Sequence, residues 1–214
     1  QLIVPVRDVP TDYERNAAHL ADAEFVTANC FYRRTALEAI GGFDERFKVA
    51  WREDSDLFFT LYRENCAGRV AIGAKGHCPF VHVPIASVVH PIRPAKWGIS
   101  LGQQRKSMFN ALLYKKHPKL YREKIQAAPP WHYYGIVGAL VVFIGGLLGG
   151  HQRLAFAAAC LWMFLTGRFC VRRLQGTSER TEHRAEMLVT SALIPPLAIF
   201  WRLWGAIKFR VLFF

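Results

Sequence analysis

Trp131-His132-Tyr133-Tyr134-Gly135-Ile136-Val137-Gly138-Ala139-Leu140-Val141-Val142-Phe143-Ile144-Gly145-Gly146-Leu147-Leu148-Gly149-Gly150 contains no Asp, Glu, Lys or Arg. An α-helix needs about twenty such residues to cross the hydrocarbon core of a bilayer. Trp131, Tyr133 and Tyr134 stand at its start, where an aromatic belt at the membrane–water boundary belongs. The run predicts a spanning helix. Two further apolar segments follow, at residues 154–171 and 187–201. The first is interrupted by Arg168, close enough to one end for its head group to snorkel. The second is short and carries Pro195-Pro196, so a kinked span and a re-entrant helix both fit it.

Outward from these segments the charge is uneven. The chain of 214 residues has 28 Lys and Arg against 16 Asp and Glu, a formal net charge of +12. The basic residues flank the apolar runs, which points to an anionic membrane surface. Aromatics do not interleave with basic residues on the N-terminal part, so nucleic acid is not an expected partner. Arg172, Arg173, Arg180 and Arg184 crowd the loop after the second apolar segment, whereas the loop before it holds Arg153. The positive-inside rule then predicts a multi-pass protein of the cell membrane whose N-terminal part and arginine-rich loop are cytoplasmic. Arg202, Lys208 and Arg210 fit that scheme only if the third segment re-enters or the tail lies at an interface. Cys30, Cys66, Cys78, Cys160 and Cys170 form no CxxC pair and are odd in number, which predicts reduced packing residues.

Before residue 131 the chain mixes charged, polar and aromatic residues as a soluble domain does. Residues 24–33 are rich in β-branched and aromatic residues and predict a strand; residues 69–74 and 86–90 predict two more. Thr35 and Glu38 have the spacing of a capping box, and Gly41-Gly42 would stop the helix between them. A second helix is predicted from about Glu53 to Glu64. Leu57, Phe58, Leu61 and Tyr62 share a face with Asp54 at 100° per residue, while Asp56 points roughly 200° away from Asp54. Residues 97–117 predict an amphipathic, basic helix lying in the headgroup region. His77, Cys78 and His82 lack a fourth ligand nearby and make a poor zinc site.

A helix N-terminus favours an ionised carboxylate, and a general base must be ionised when its substrate arrives. Asp54 meets both conditions, although Asp and Glu are common in the first turn of any helix. The wider pattern adds to this. Thr27-Ala28-Asn29-Cys30-Phe31-Tyr32-Arg33-Arg34, then Gly41-Gly42-Phe43-Asp44-Glu45-Arg46-Phe47, then Trp51-Arg52-Glu53-Asp54-Ser55-Asp56-Leu57 closely resembles the acceptor half of family 2 glycosyltransferases. The resemblance is specific over residues 24–62 and looser from His90 to Tyr121. It implies an α/β fold, the acceptor-side part of an inverting GT-A domain over residues 1–95. An interfacial helix and linker over 96–130 and a membrane region over 131–214, with two to three transmembrane or re-entrant helices, complete the plan.

By that resemblance Asp54 matches the base that deprotonates the acceptor hydroxyl, and Glu53 its acidic partner. Asn29, Asp44, Glu45 and Trp51 match the acceptor-binding side, and His90 lies where some relatives contact the metal or diphosphate. The donor is a nucleotide sugar and the acceptor a lipid-linked molecule or glycan, with Mg²⁺ or Mn²⁺ as cofactor of the complete enzyme. Gln103-Gln104-Arg105-Lys106 falls where processive members carry Gln-x-x-Arg-Trp, but no Trp follows, so single-sugar transfer is expected. Asp54-Ser55-Asp56 is literally an Asp-x-Asp string, yet it opens a helix and its carboxylates diverge, so it is not expected to be the family's metal motif. The matched pattern leaves out the family's nucleotide-binding half, and the chain begins at Gln1. It is therefore expected to be a fragment, inactive alone. The contrasting expectation is a non-catalytic membrane scaffold in which Glu53 and Asp54 only cap a helix. A two-carboxylate hydrolase is excluded because adjacent residues cannot flank a bond from opposite sides.

Overall fold

The computed structural model describes residues 1–23, 26–67, 80–83 and 85–214. Strand β1 (Leu2–Ile3) is followed by helices α1 (Asp12–Ala18), α2 (Arg34–Ile40) and α3 (Glu53–Cys66). Strand β2 (Val88–Val89) leads to α4 (Ile99–Gln103), a 3₁₀ turn, α5 (Met108–Lys116) and α6 (Pro118–Lys124). Three long helices close the chain: α7 (Trp131–Leu148), α8 (Gln152–Leu174) and α9 (Thr181–Phe209). All three are long and apolar enough to cross a membrane.

The described residues are mostly α-helical, which overturns the expected α/β GT-A domain. Among them the sheet consists of β1 and β2 alone, parallel, with Leu2 opposite Val88 and Ile3 opposite Val89. A strand must pair its backbone groups with a neighbour. Residues 26–33 have none among the described residues; Thr27–Asn29 instead close a 3₁₀ turn. The Asn29 amide donates to the carbonyls of Gln1 and Ala86 at 3.0 Å, tying this turn to the ends of β1 and β2. The strand expected at 86–90 is present but only two residues long, and the one expected at 69–74 lies outside the described residues.

Helix α2 starts one residue before the expected cap. Its N-cap is Arg33, and Glu38 pairs with Arg34 at 2.7 Å instead of closing a box with Thr35. Gly41, with φ +78°, ends it in the left-handed conformation that glycine adopts without cost. Helix α3 begins at Glu53 as predicted and buries two sides. Leu57 and Leu61 pack with Ala36 of α2. Phe59 joins Phe47, Met108, Phe109, Leu112, Leu113 and Tyr121 in the larger core.

The segment expected to be one interfacial helix over 97–117 is broken into α4, a 3₁₀ turn (Gln104–Ser107) and α5. Its apolar residues do not wait for lipid: Phe109, Ala111, Leu112 and Leu113 are almost wholly buried. They pack between α3 and α9. The chain of α9 approaches so closely that a Cβ on Gly205 would overlap the backbone of Met108. Helix α9 also runs well beyond the expected 187–201. Pro195 and Pro196 remove two backbone donors within it, yet the helix continues through them to Phe209. The last residues fold back, and Phe213 is buried against Tyr114 and Tyr121.

Candidate functional site

The turn into α3 is built on Arg52, which adopts φ +75°. A left-handed residue other than glycine is uncommon and holds only where its surroundings fix it. Here Arg52 Nε donates to Asn110 Oδ1 of α5 at 2.8 Å, and its guanidinium lies 4.7 Å from the centre of the Trp51 ring. Burial pushes the Arg52 pKa down. Trp51 is thereby held with 38% of its surface open, with Lys106 Nζ 6.0 Å from the ring centre.

Glu53 and Asp54 follow directly, in the first turn of α3. Burial raises the pKa of Glu53, and the neighbouring Asp54 charge adds to the rise. Its Oε2 is buried without a hydrogen-bond partner among the described residues. Asp54 is half-buried, and its Oδ1 accepts the backbone N–H of Ser55 at 2.7 Å. Cys30 and Tyr32 lie near it. Burial raises both their pKa values, and the Asp54 charge contributes to each.

Helical arithmetic placed Asp54 on the inward stripe and Asp56 away from it, and Asp56 is the buried carboxylate, at 3% exposure. The reason is that α3 packs on two sides, and the side carrying Asp56 faces α5. Asp56 Oδ2 accepts from Lys116 Nζ at 2.6 Å, and Oδ1 lies 3.0 Å from His117 Nε2. A carboxylate only accepts, so that ring nitrogen carries the proton. Lys116 also donates to Asp44 at 2.7 Å. Asp44 is further bound by Arg46 Nη2 at 2.6 Å, and these bonds, Arg46 first, hold its pKa well below the usual carboxylate range.

The structure therefore divides the residues singled out from sequence. Trp51, Glu53 and Asp54 stand together at the head of α3. Asp44 is committed to Arg46 and Lys116, and Glu45 is exposed beside it. Asn29 spends its amide on the Gln1 and Ala86 carbonyls, just before β1 and β2. His90 donates its backbone N–H to the Ile3 carbonyl at 2.8 Å, and its Nδ1 is buried without a partner among the described residues. Among the described residues no three His, Cys, Asp or Glu side chains gather to hold a metal ion. His77 and Cys78 lie outside the described residues, and His82 is exposed. The sequence reading missed Asp56, Lys116 and His117 as one network. It also missed Arg173, whose guanidinium is bound by Asp12 at 2.8 Å and reaches Thr190 and Ser191. No local spacing announces either network, because the partners are far apart in sequence.

No family model, no curated protein and no solved structure matches the chain.

Proposed function

We propose that this chain carries the acceptor-side carboxylate of a membrane-bound glycosyltransferase, with Asp54 as general base. The observation that carries the reading is the fixed turn at the head of α3. It holds Trp51 open to solvent beside Glu53 and Asp54, while Arg52 and Asn110 lock the backbone behind them. An acceptor hydroxyl placed at Asp54 would lose its proton to the carboxylate as its oxygen attacks the anomeric carbon of a nucleotide sugar. The nucleoside diphosphate then leaves, with inversion at that carbon. The open face of Trp51 suits stacking against a sugar ring, and Glu53, its pKa raised, suits a hydrogen bond to a neighbouring hydroxyl. The described residues do not assemble a site for the Mg²⁺ or Mn²⁺ that the resemblance implies, and no step is assigned to it.

The head of α3 rests on α5, which packs on α9, so the acceptor is expected to be lipid-linked or otherwise held near the bilayer. The arginine-rich loop favours a cytoplasmic position for this side. One observation favours the scaffold alternative: Glu53 and Asp54 stand in the first turn of α3, where the helix dipole alone favours carboxylates. The two readings separate in a transfer assay. Membranes containing the polypeptide in which this chain occurs are given radiolabelled uridine- and guanosine-diphosphate sugars, and label is followed into lipid and glycan fractions. Asp54→Asn is expected to lower transfer by about 10²-fold or more, the usual weight of a general base. Equal turnover would sink the base assignment and leave the scaffold.

A further inference from the structure

Helices α7 and α8 form an antiparallel hairpin. At its far turn Gly146 sits against the backbone of Ala155, close enough that a Cβ there would stand 3.0 Å from the Ala155 nitrogen. At the near end the Tyr133 ring meets Phe169 at 5.4 Å. Many outward side chains of the hairpin are apolar and exposed, including Val141, Leu148, Phe156 and Phe164, while Arg168 and Arg172 are exposed toward its near end.

Helix α9 packs against both α7 and α8, and two of its polar contacts fix where it meets them. Its Thr190 and Ser191 accept from Arg173, in the last turn of α8, at 2.7 and 3.1 Å. Farther along, Arg202 donates to Gln126 Oε1 at 3.1 Å, just before the start of α7. Both contacts are at the near end. Arg202 lies about 31 Å along the axis from the start of α9, at 1.5 Å per residue. An antiparallel third span would put it close to the far turn. Instead α9 continues along the soluble part, where Gly98 donates to Glu186 at 2.7 Å and Lys115 donates to the Phe209 carbonyl at 2.8 Å.

One face of α9 is occupied by these contacts. On the opposite face Val189, Leu193, Phe200, Leu203, Trp204 and Ile207 are exposed. At 100° per residue they fall within an arc of roughly 100°, and the stripe extends about 27 Å. No charged side chain interrupts it.

We infer that, of the three long helices, α7 and α8 cross the bilayer, and that α9 lies in the headgroup–acyl boundary of the near leaflet with this stripe against lipid. The opposite face of α9 meets the near end of the hairpin, and the hairpin's exposed apolar side chains make acyl chains the natural cover for the stripe. This arrangement also places Lys208 and Arg210 on the side that holds Arg172, Arg180 and Arg184, leaving Arg153 in the far loop. The inference does not rest on the glycosyltransferase reading, and its test needs no activity.

The native cysteines are replaced by Ser in the whole chain, and spin labels are placed singly at Val189→Cys, Phe200→Cys and Ile207→Cys in phospholipid vesicles. Their depth is read from the balance of collisions with oxygen and a water-soluble nickel chelate. The expected result is one shallow depth shared by all three. A steady progression from one leaflet to the other overturns the inference. So does exclusion of oxygen with spin–spin broadening, which would mean that a second copy covers the stripe. As a check free of interior substitutions, a protease-cleavable epitope appended after Phe214 is compared in sealed vesicles with one inserted after Ser178 and one after Gly150. The first two are expected to be cut from the same side and the third from the opposite side. An epitope after Phe214 that behaves like the one after Gly150 overturns the inference.

Discussion

Asp54 and Asp56 stand two residues apart on α3 and occupy opposite environments. Asp54 is half-open beside Trp51, with its strongest bond to its own neighbour's backbone. Asp56 is sealed against α5, bound by Lys116 and His117. Helix geometry guarantees that two such residues face apart. It does not say which one goes inside. That is decided by what packs on each side, and here the basic pair at the end of α5 draws Asp56 in. The carboxylate assigned to chemistry under the proposed function is the one the core left partly free.

The contrast gives a ranking of stability effects. Asp56→Ala leaves the Lys116 and His117 donors without their shared acceptor in a buried site. It is expected to cost about 3–5 kcal/mol, as breaking a buried pair from one side does, read as denaturant-induced unfolding in detergent. A loss below 1 kcal/mol would mean that the network is not a stabilising one. Gly205→Leu tests the support beneath the site, since the added side chain must displace the Met108 backbone. Overpacking of this kind is expected to cost roughly 1–3 kcal/mol, and unfolding with an unchanged midpoint would contradict the close approach of α5 and α9.

Asp44 shares Lys116 with Asp56 and predicts a pH effect of smaller size. Its folded pKa is depressed by Arg46 and Lys116. Its contribution is therefore complete above the ordinary carboxylate range and is lost as pH falls below about 4, through the unfolded and then the folded value. Asp44→Asn is expected to remove part of the acid-induced destabilisation while lowering stability at neutral pH. An unchanged acid limb would contradict the pairing.

Much of the coarse plan was legible in the sequence. The uncharged run from Trp131, the helix beginning at Glu53 and the stop at Gly41 rest on local signals, and all three are present. The failures share a cause. β-Branched residues at 26–33 needed a neighbouring strand, and the apolar face of 97–117 suited either lipid or protein. The reach of α9 through Pro195 and Pro196 was missed because proline predicts a break wherever neighbours do not hold the helix together. In the candidate site, the adjacency of Trp51, Glu53 and Asp54 is local and was readable. The assignment of Asp44 and Asp56 to one lysine depended on Lys116, far along the chain.

The most direct measurement pairs the two carboxylates in one preparation. Asp54→Asn and Asp56→Asn are made in the polypeptide in which this chain occurs, and each is measured for unfolding and for sugar transfer under conditions where it remains folded. Asp54→Asn is expected to change stability by less than about 0.5 kcal/mol, as substitutions outside buried networks do, while transfer falls about 10²-fold or more. Asp56→Asn is expected to lose stability and keep most of its transfer per folded molecule. Full transfer by a folded Asp54→Asn protein would contradict the central claim.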